Sequence, residues 1–202
     1  MWSYYDRRIA FREPGAHNVH NYFLGLGVMA DLATVNAELA EVRCLLRKLP
    51  PATFLDIGAG PSGEFTSQLP GRGCALDQSD AVLRHFHQNC PAVPVLRADA
   101  MLLPVAGKSI GRVFISHVYG LLLPYEGAAL LTEARRVAEE IVILDSGRPP
   151  GAQPEQWQTR SLPDETTYPI FRRHLDIDTL VNEIDGEALF DGQYFVMAAA
   201  RT

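Results

Sequence analysis

The ten residues Phe54-Leu-Asp-Ile-Gly-Ala-Gly-Pro-Ser-Gly63 limit this chain more than any other stretch. Phe54, Leu55 and Ile57 read as a short buried strand, and Gly58, Ala59, Gly60 and Gly63 as a glycine-rich turn. Glu64 to Leu69 follow as the expected opening of a helix. Glycines are needed where a backbone turns sharply and a ligand presses against it. By itself such a turn fits any dinucleotide-type site. Asp56, two residues before the first glycine, adds a carboxylate at the strand's mouth, suited to a cationic or hydrogen-bond-donating ligand.

Three further stations come in order. Gly73-Cys-Ala-Leu-Asp-Gln78 is an apolar strand ending in Asp77, where an acid can accept both hydroxyls of a ribose. Val93-Pro-Val-Leu-Arg-Ala-Asp-Ala100 is a strand ending in Asp99. Arg112-Val-Phe-Ile-Ser-His-Val-Tyr-Gly120 is a fourth, ending in Ser116, His117 and Tyr119. Ligands of open α/β sheets bind outside the carboxyl ends of the strands, so the four stations converge on one crevice.

Around these strands the pattern alternates. Apolar positions recur at three and four over residues 28–49 (Met29, Leu32, Val35, Leu39, Val42, Leu45, Leu49), a helix that Pro50-Pro51 stops. Helices are expected over 80–88, capped by Ser79 or Asp80, and over 126–138 and 175–184, with a fifth strand over 141–145. Residues 148–167 hold four prolines and read as an irregular excursion. Glu187 to Phe190 and Gln193 to Ala200, joined by Asp191-Gly192, read as a hairpin with a two-residue turn. The expected fold is α/β: a Rossmann-like doubly wound sheet of five parallel strands plus a C-terminal antiparallel β-hairpin, with helices on both faces.

On these motifs the chain resembles the class I S-adenosylmethionine-dependent methyltransferases, in the small-molecule branch called methyltransferase domain type 11. The resemblance runs from about Tyr4 to the end of the sequence. "YYDRR", "RVFISHVYGLL", "EEIVILDS", "EQWQ" and "GEALFDGQYFVMAA" are similar to a bacterial subgroup with no assigned substrate. It implies that Asp56, Gly58, Ala59 and Gly60 hold the methionine portion of S-adenosylmethionine, and that Asp77, beside Gln78, binds the ribose. It further implies that Asp99 pairs with the adenine amino group while the Ala100 N–H reads the ring. Ser116 lines the same site, and Tyr5 belongs to a segment folding over the cofactor. Two departures stand out. Gly60-Pro61-Ser62-Gly63 sets the last glycine one residue beyond the family's spacing, which bears on how the carboxypropyl end is held. Gly111-Arg112 replaces an acid often found before the fourth strand.

The expected organisation is one methyltransferase domain over 1–202, with residues 1–27 as a cap over the cofactor and 148–171 as an acceptor-side cap. The expected activity is methyl transfer to a small molecule by in-line displacement, leaving S-adenosylhomocysteine. That chemistry needs no metal; it needs alignment, exclusion of water and, for a hydroxyl or ammonium acceptor, a base. His117 and Tyr119 are the candidate catalytic residues, with His17 and His20 on the cap as second choices, although both His117 and Tyr119 also suit packing. Trp157 suits packing of the excursion onto the domain, or the acceptor pocket. His85 and His87, two apart on a helix, face different ways and make no metal pair. Two rivals remain: a cofactor-binding regulatory protein without turnover, and an NAD-dependent oxidoreductase.

Composition agrees. The 202 residues, 47% hydrophobic, suffice for one core, and a net charge of −6 argues against nucleic acid as the main partner. Cys44, Cys74 and Cys90 form no C-x-x-C pair, which suits reduced thiols in a cytoplasmic protein. Neither a secretory core nor a membrane span is legible. The oligomeric state and the acceptor's identity are left open by the sequence.

Overall fold

The computed structural model describes Tyr4, Arg7, Arg8 and residues 31–148 and 151–202. Tyr5, His17, His20 and most of the expected 1–27 cap lie outside the described residues. Helix α1 (Leu32–Lys48) starts where Asp31 accepts from the Ala33 N–H, and buries Val35, Leu39, Val42 and Leu46. Then come β1 (Ala52–Ile57), β2 (Gly71–Asp77), α2 (Asp80–Asn89), β3 (Val95–Arg97), β4 (Ile110–Ser116), α3 (Pro124–Val137) and β5 (Ala138–Ser146). A ribbon, β6 (Glu155–Ser161) and β7 (Thr167–Arg173), precedes α4 (Ile177–Ile184), β8 (Glu187–Asp191) and β9 (Phe195–Arg201).

Seven strands form one sheet in the order β3-β2-β1-β4-β5-β9-β8. The first five are parallel, and β9 lies antiparallel between β5 and β8. Side-chain alternation divides the core into two faces. Leu55, Ile57, Val113, Ile115, Ile141 and Ile143 pack with α3 and α4. Phe54, Phe114, Val142 and Leu144 pack with α1. The strand order reverses between β1 and β4, which places the crevice at the carboxyl ends of those strands.

Three local expectations change. Glu64 to Leu69 make only a 3₁₀ turn, Thr66–Gln68, because Pro70 and the positive-φ Gly71 start the next strand within a few residues. The excursion expected over 148–167 contains a strand: Glu155–Ser161 pairs with Thr167–Arg173 over seven residues each. Pro154 and Pro163 flank β6, and Pro169 is exposed within this two-stranded ribbon, where a missing N–H is tolerated. The closing hairpin turns over 192–194 rather than two residues. There Glu38 of α1 accepts from Gln193 N at 2.7 Å, Tyr194 N at 2.9 Å and Phe195 N at 3.2 Å. That carboxylate shapes the turn from outside, which no local turn rule foresees. The ribbon also receives the N-terminal segment: Tyr4 is buried with Leu162 and Ile170, and Arg7 pairs with Asp164. Among the described residues no helix is long and apolar enough to cross a membrane.

Candidate active site at the carboxyl ends of β1, β2 and β4

Asp56 is almost fully buried at the end of β1. Its Oδ2 accepts from the Thr66 hydroxyl, while Oδ1 is enclosed without a hydrogen-bond partner. Burial pushes its pKa up to about 7, the Thr66 bond opposes that, and Asp77 adds to it. A carboxyl enclosed with an open acceptor position is an unusual expense in a fold, and such groups cluster at functional sites.

The turn after it uses all three glycines at positive φ. They differ in what limits them. A Cβ on Gly58 would lie 2.2 Å from Val118, so this glycine lets β1 and the β4 loop approach. A Cβ on Gly60 would meet nothing within 4 Å, so its exposed edge faces open space. A Cβ on Gly63 would lie 2.4 Å from Cys90 Sγ and 2.9 Å from Phe86. The displaced third glycine therefore serves the docking of α2 against the loop. Gly58 N and Ala59 N are bonded to Leu76 O, tying the turn to β2.

The next two stations meet. Asp77 Oδ1 accepts from Ser79 N at 2.9 Å, and Ser79 in turn caps α2 by accepting from Val82 N. Gln78 Nε2 donates to Asp99 Oδ1 at 3.1 Å, and Met101 N donates to the same oxygen at 2.9 Å. Ala100 is buried behind Asp99, which is itself exposed. Ser116 ends β4, buried opposite Leu144. The other departure, Arg112, is buried within β4 and holds Glu140 and the Pro50 carbonyl, a structural tie at the sheet's far end.

His117 leaves β4 at φ 55, an uncommon conformation for a residue with a side chain. Its ring lies between Phe65 and Phe195, each centroid 5.8 Å away. Nδ1 is 3.9 Å from Asp145 Oδ1. Burial pulls its pKa down to about 4; Asp145 and Glu64 oppose the shift and Arg172 adds to it. The imidazole is therefore neutral near pH 7. Tyr119 is placed differently. It is buried in the α3–α4 core, donates to Glu183 Oε2 at 2.7 Å, and carries Arg173 over its ring at 5.0 Å. Burial and Glu183 push it up to about 12. Trp157 is 63% exposed and leans on Phe171 across the ribbon. His85 Nδ1 lies 3.0 Å from Ala81 O, and no group of metal ligands forms among the described residues.

One group beside the crevice was not singled out from the sequence. Asp145, fully buried at the end of β5, accepts from Gly120 N at 2.8 Å, Ser146 N at 2.7 Å and Arg172 Nη2 at 3.1 Å. Its place at a strand's carboxyl end was the available signal.

The family model of the methyltransferase domain matches residues 55–141, which include Asp56, the glycine turn, Asp77, Asp99 and His117. Residues 55–141 carry a methyltransferase domain. The domain's fold recurs in solved structures. The DhpI–SAH complex superposes with a TM-score of 0.73 at 16% identity, covering 99% of this chain and 94% of that one. The glycopeptide N-methyltransferase MtfA complexed with (S)-adenosyl-L-methionine gives 0.59 at 17% identity, covering 80% and 85%. An S-adenosylmethionine-dependent methyltransferase from Mesorhizobium loti gives 0.57 at 13%, covering 82% and 98%. No curated protein matches the sequence. At these identities the likeness to solved structures establishes the fold, and the methyltransferase domain model establishes the enzyme class.

Proposed function

We propose that this protein transfers a methyl group from S-adenosylmethionine to a small-molecule acceptor. The observation that carries the reading is the meeting of the Gly58–Gly60 turn, Asp56, Asp77 and Asp99 in one crevice of a methyltransferase domain. The residues fit the cofactor: Asp56 Oδ1 is enclosed without a partner, and the Gly60 edge is open. Asp56, Gly58, Ala59 and Gly60 would hold the methionine end, Asp77 and Gln78 the ribose, and Asp99, Ala100 and Ser116 the adenine side, with Tyr5 from the N-terminal segment above. When bound, the cofactor supplies an electrophilic methyl on a sulfonium, displaced in line by the acceptor.

The protein's own contribution is alignment and proton handling. His117 is neutral near pH 7 and stands at the end of β4, so it is the base of choice for a hydroxyl or ammonium acceptor. Asp145 supports it electrostatically from 3.9 Å. Tyr119, donating to Glu183, serves as a strut between the β4 turn and α4. Residues 1–27 and the 148–171 ribbon wall the acceptor side; the Tyr4 and Arg7 contacts with the ribbon support this division of the single domain. A second reading, cofactor binding without turnover, draws on the same Tyr119–Glu183 bond, which leaves one candidate base instead of two.

Calorimetric titration with S-adenosylmethionine, with NADH as control, tests the cofactor. Micromolar binding without NADH binding supports the proposal, and a preference for NADH sinks it. A metabolite panel assayed for S-adenosylhomocysteine release then separates turnover from binding alone.

A further inference from the structure

The inward face of the β6–β7 ribbon carries a positive charge that no acid among the described residues answers. Pairing sets Gln156 opposite Arg172, Gln158 opposite Ile170 and Arg160 opposite Tyr168, all on one face. Ile170 and Arg172 are fully buried, and Arg172 reaches Asp145 at the end of β5. At its Arg172 end that face looks onto the carboxyl end of the sheet, and at its Arg160 end Tyr4 packs on Tyr168. The charges around it cancel in pairs: Arg172 with Asp145, Arg173 with Glu183, and Arg7 with Asp164 at the ribbon's tip. Arg160 is left over. Its Nη2 donates to Gln158 Oε1 at 3.0 Å, and its Nε is sealed from solvent without a hydrogen-bond partner.

An enclosed guanidinium atom lacking an acceptor is costly, and its planar fork matches the two oxygens of a carboxylate or phosphoryl group. We propose that Arg160 receives an oxyanion of the methyl acceptor, which is therefore an anionic small molecule bearing a carboxylate or a phosphoryl group. The inference rests on the methyltransferase reading for the word acceptor, and on Arg160 alone for the anion. It makes the ribbon the specificity element, so a neutral compound of the same shape is rejected because Arg160 would stay unpaired.

The test is calorimetry on the full chain, free and loaded with S-adenosylhomocysteine, using methylphosphonate, inorganic phosphate and acetate, with acetamide as the neutral control. The expected result is binding of a phosphoryl or carboxylate probe but not of acetamide. Arg160→Gln should weaken that binding about tenfold or more, with an unchanged melting temperature and S-adenosylhomocysteine affinity. Arg160→Lys, which keeps the charge and loses the fork, should fall between, and it decides the matter if Arg160→Gln does not fold. Preference between the phosphoryl probes and acetate names the oxyanion. Binding of none of the three anions, or equal binding by Arg160→Gln, overturns the proposal. Failure of S-adenosylhomocysteine to bind would strike the methyltransferase reading instead, and the anion titration of the free protein would still decide the role of Arg160.

Discussion

Arg172 on β7 donates to Asp145 on β5 at 3.1 Å, with both side chains wholly excluded from solvent. The bond fastens the ribbon to the carboxyl end of the sheet, beside His117. Asp145 also accepts two backbone N–H groups, so its negative charge is well supported. Breaking such a pair from one side leaves a buried charge unanswered. Asp145→Asn is expected to cost about 3–5 kcal/mol. Arg172→Met combined with Asp145→Asn should recover much of that loss. Urea unfolding of Asp145→Asn, Arg172→Met and the double variant checks it; strictly additive losses would contradict the buried-pair account.

The crevice acids give a direct affinity prediction. Asp77→Ala and Asp99→Ala should each weaken S-adenosylmethionine binding by roughly 10–150-fold, the value of a hydrogen bond to a charged acceptor. Both acids are tied to local backbone N–H groups, so the melting temperature should be compared alongside. Unchanged affinity in both variants would remove them from the cofactor site.

Asp56 predicts a pH dependence of stability. Its folded pKa of about 7 stands above the ordinary value of 3.8, mainly through burial. The folded state then holds a proton that the unfolded chain gives up. Its favourable contribution is complete below pH 3.8 and is lost as pH rises to about 7. Asp56→Asn should flatten that part of the curve, measured by urea unfolding between pH 4 and 8. A wild-type curve with no Asp56-dependent fall in this window would show that the carboxyl is charged in the fold.

His117 predicts the opposite sign. Its pKa is lowered from 6.5 to about 4, so the unfolded chain binds a proton first as pH falls. Stability from this group is present above 6.5 and is lost between about 6.5 and 4. Asp145, Arg172 and Glu64 are the charges that act on it. If His117 is the base, turnover should persist below pH 6 until other groups fail. His117→Asn should then lower kcat about 10²–10⁴-fold while S-adenosylmethionine affinity stays the same. Equal kcat in the variant would assign His117 to packing between Phe65 and Phe195.

Two glycines of one turn should respond differently to alanine. Both sit at positive φ, which costs about 1–2 kcal/mol for a side-chain-bearing residue. Gly58→Ala adds a collision with Val118 at 2.2 Å, whereas Gly60→Ala projects into open space. Thermal melts should therefore rank Gly58→Ala as the more damaging. Gly60→Ala should retain the fold and lose cofactor affinity, which calorimetry separates from stability.

Much of this was legible because the signals are local. The strand stations and their order follow from alternation, glycine placement and terminal acids. Ser79 as the α2 cap and the stop at Pro50-Pro51 follow from rules that operate within one helical turn. The ribbon was missed because its prolines dominate the composition of 148–167, while the pairing of Trp157 with Phe171 needs a partner strand beyond the turn. The three-residue closing turn was missed because Glu38, far away on α1, supplies its hydrogen bonds.

The sequence by itself determined the α/β order, the acids at the strand ends and the glycine turn, since each depends on residues close along the chain. Only the tertiary structure decided which polar groups answer one another: Tyr119 with Glu183, Arg172 with Asp145, and Arg160 with no acid among the described residues. Charge pairing depends on distances of a few ångströms between distant segments, and those distances exist only once the core has packed.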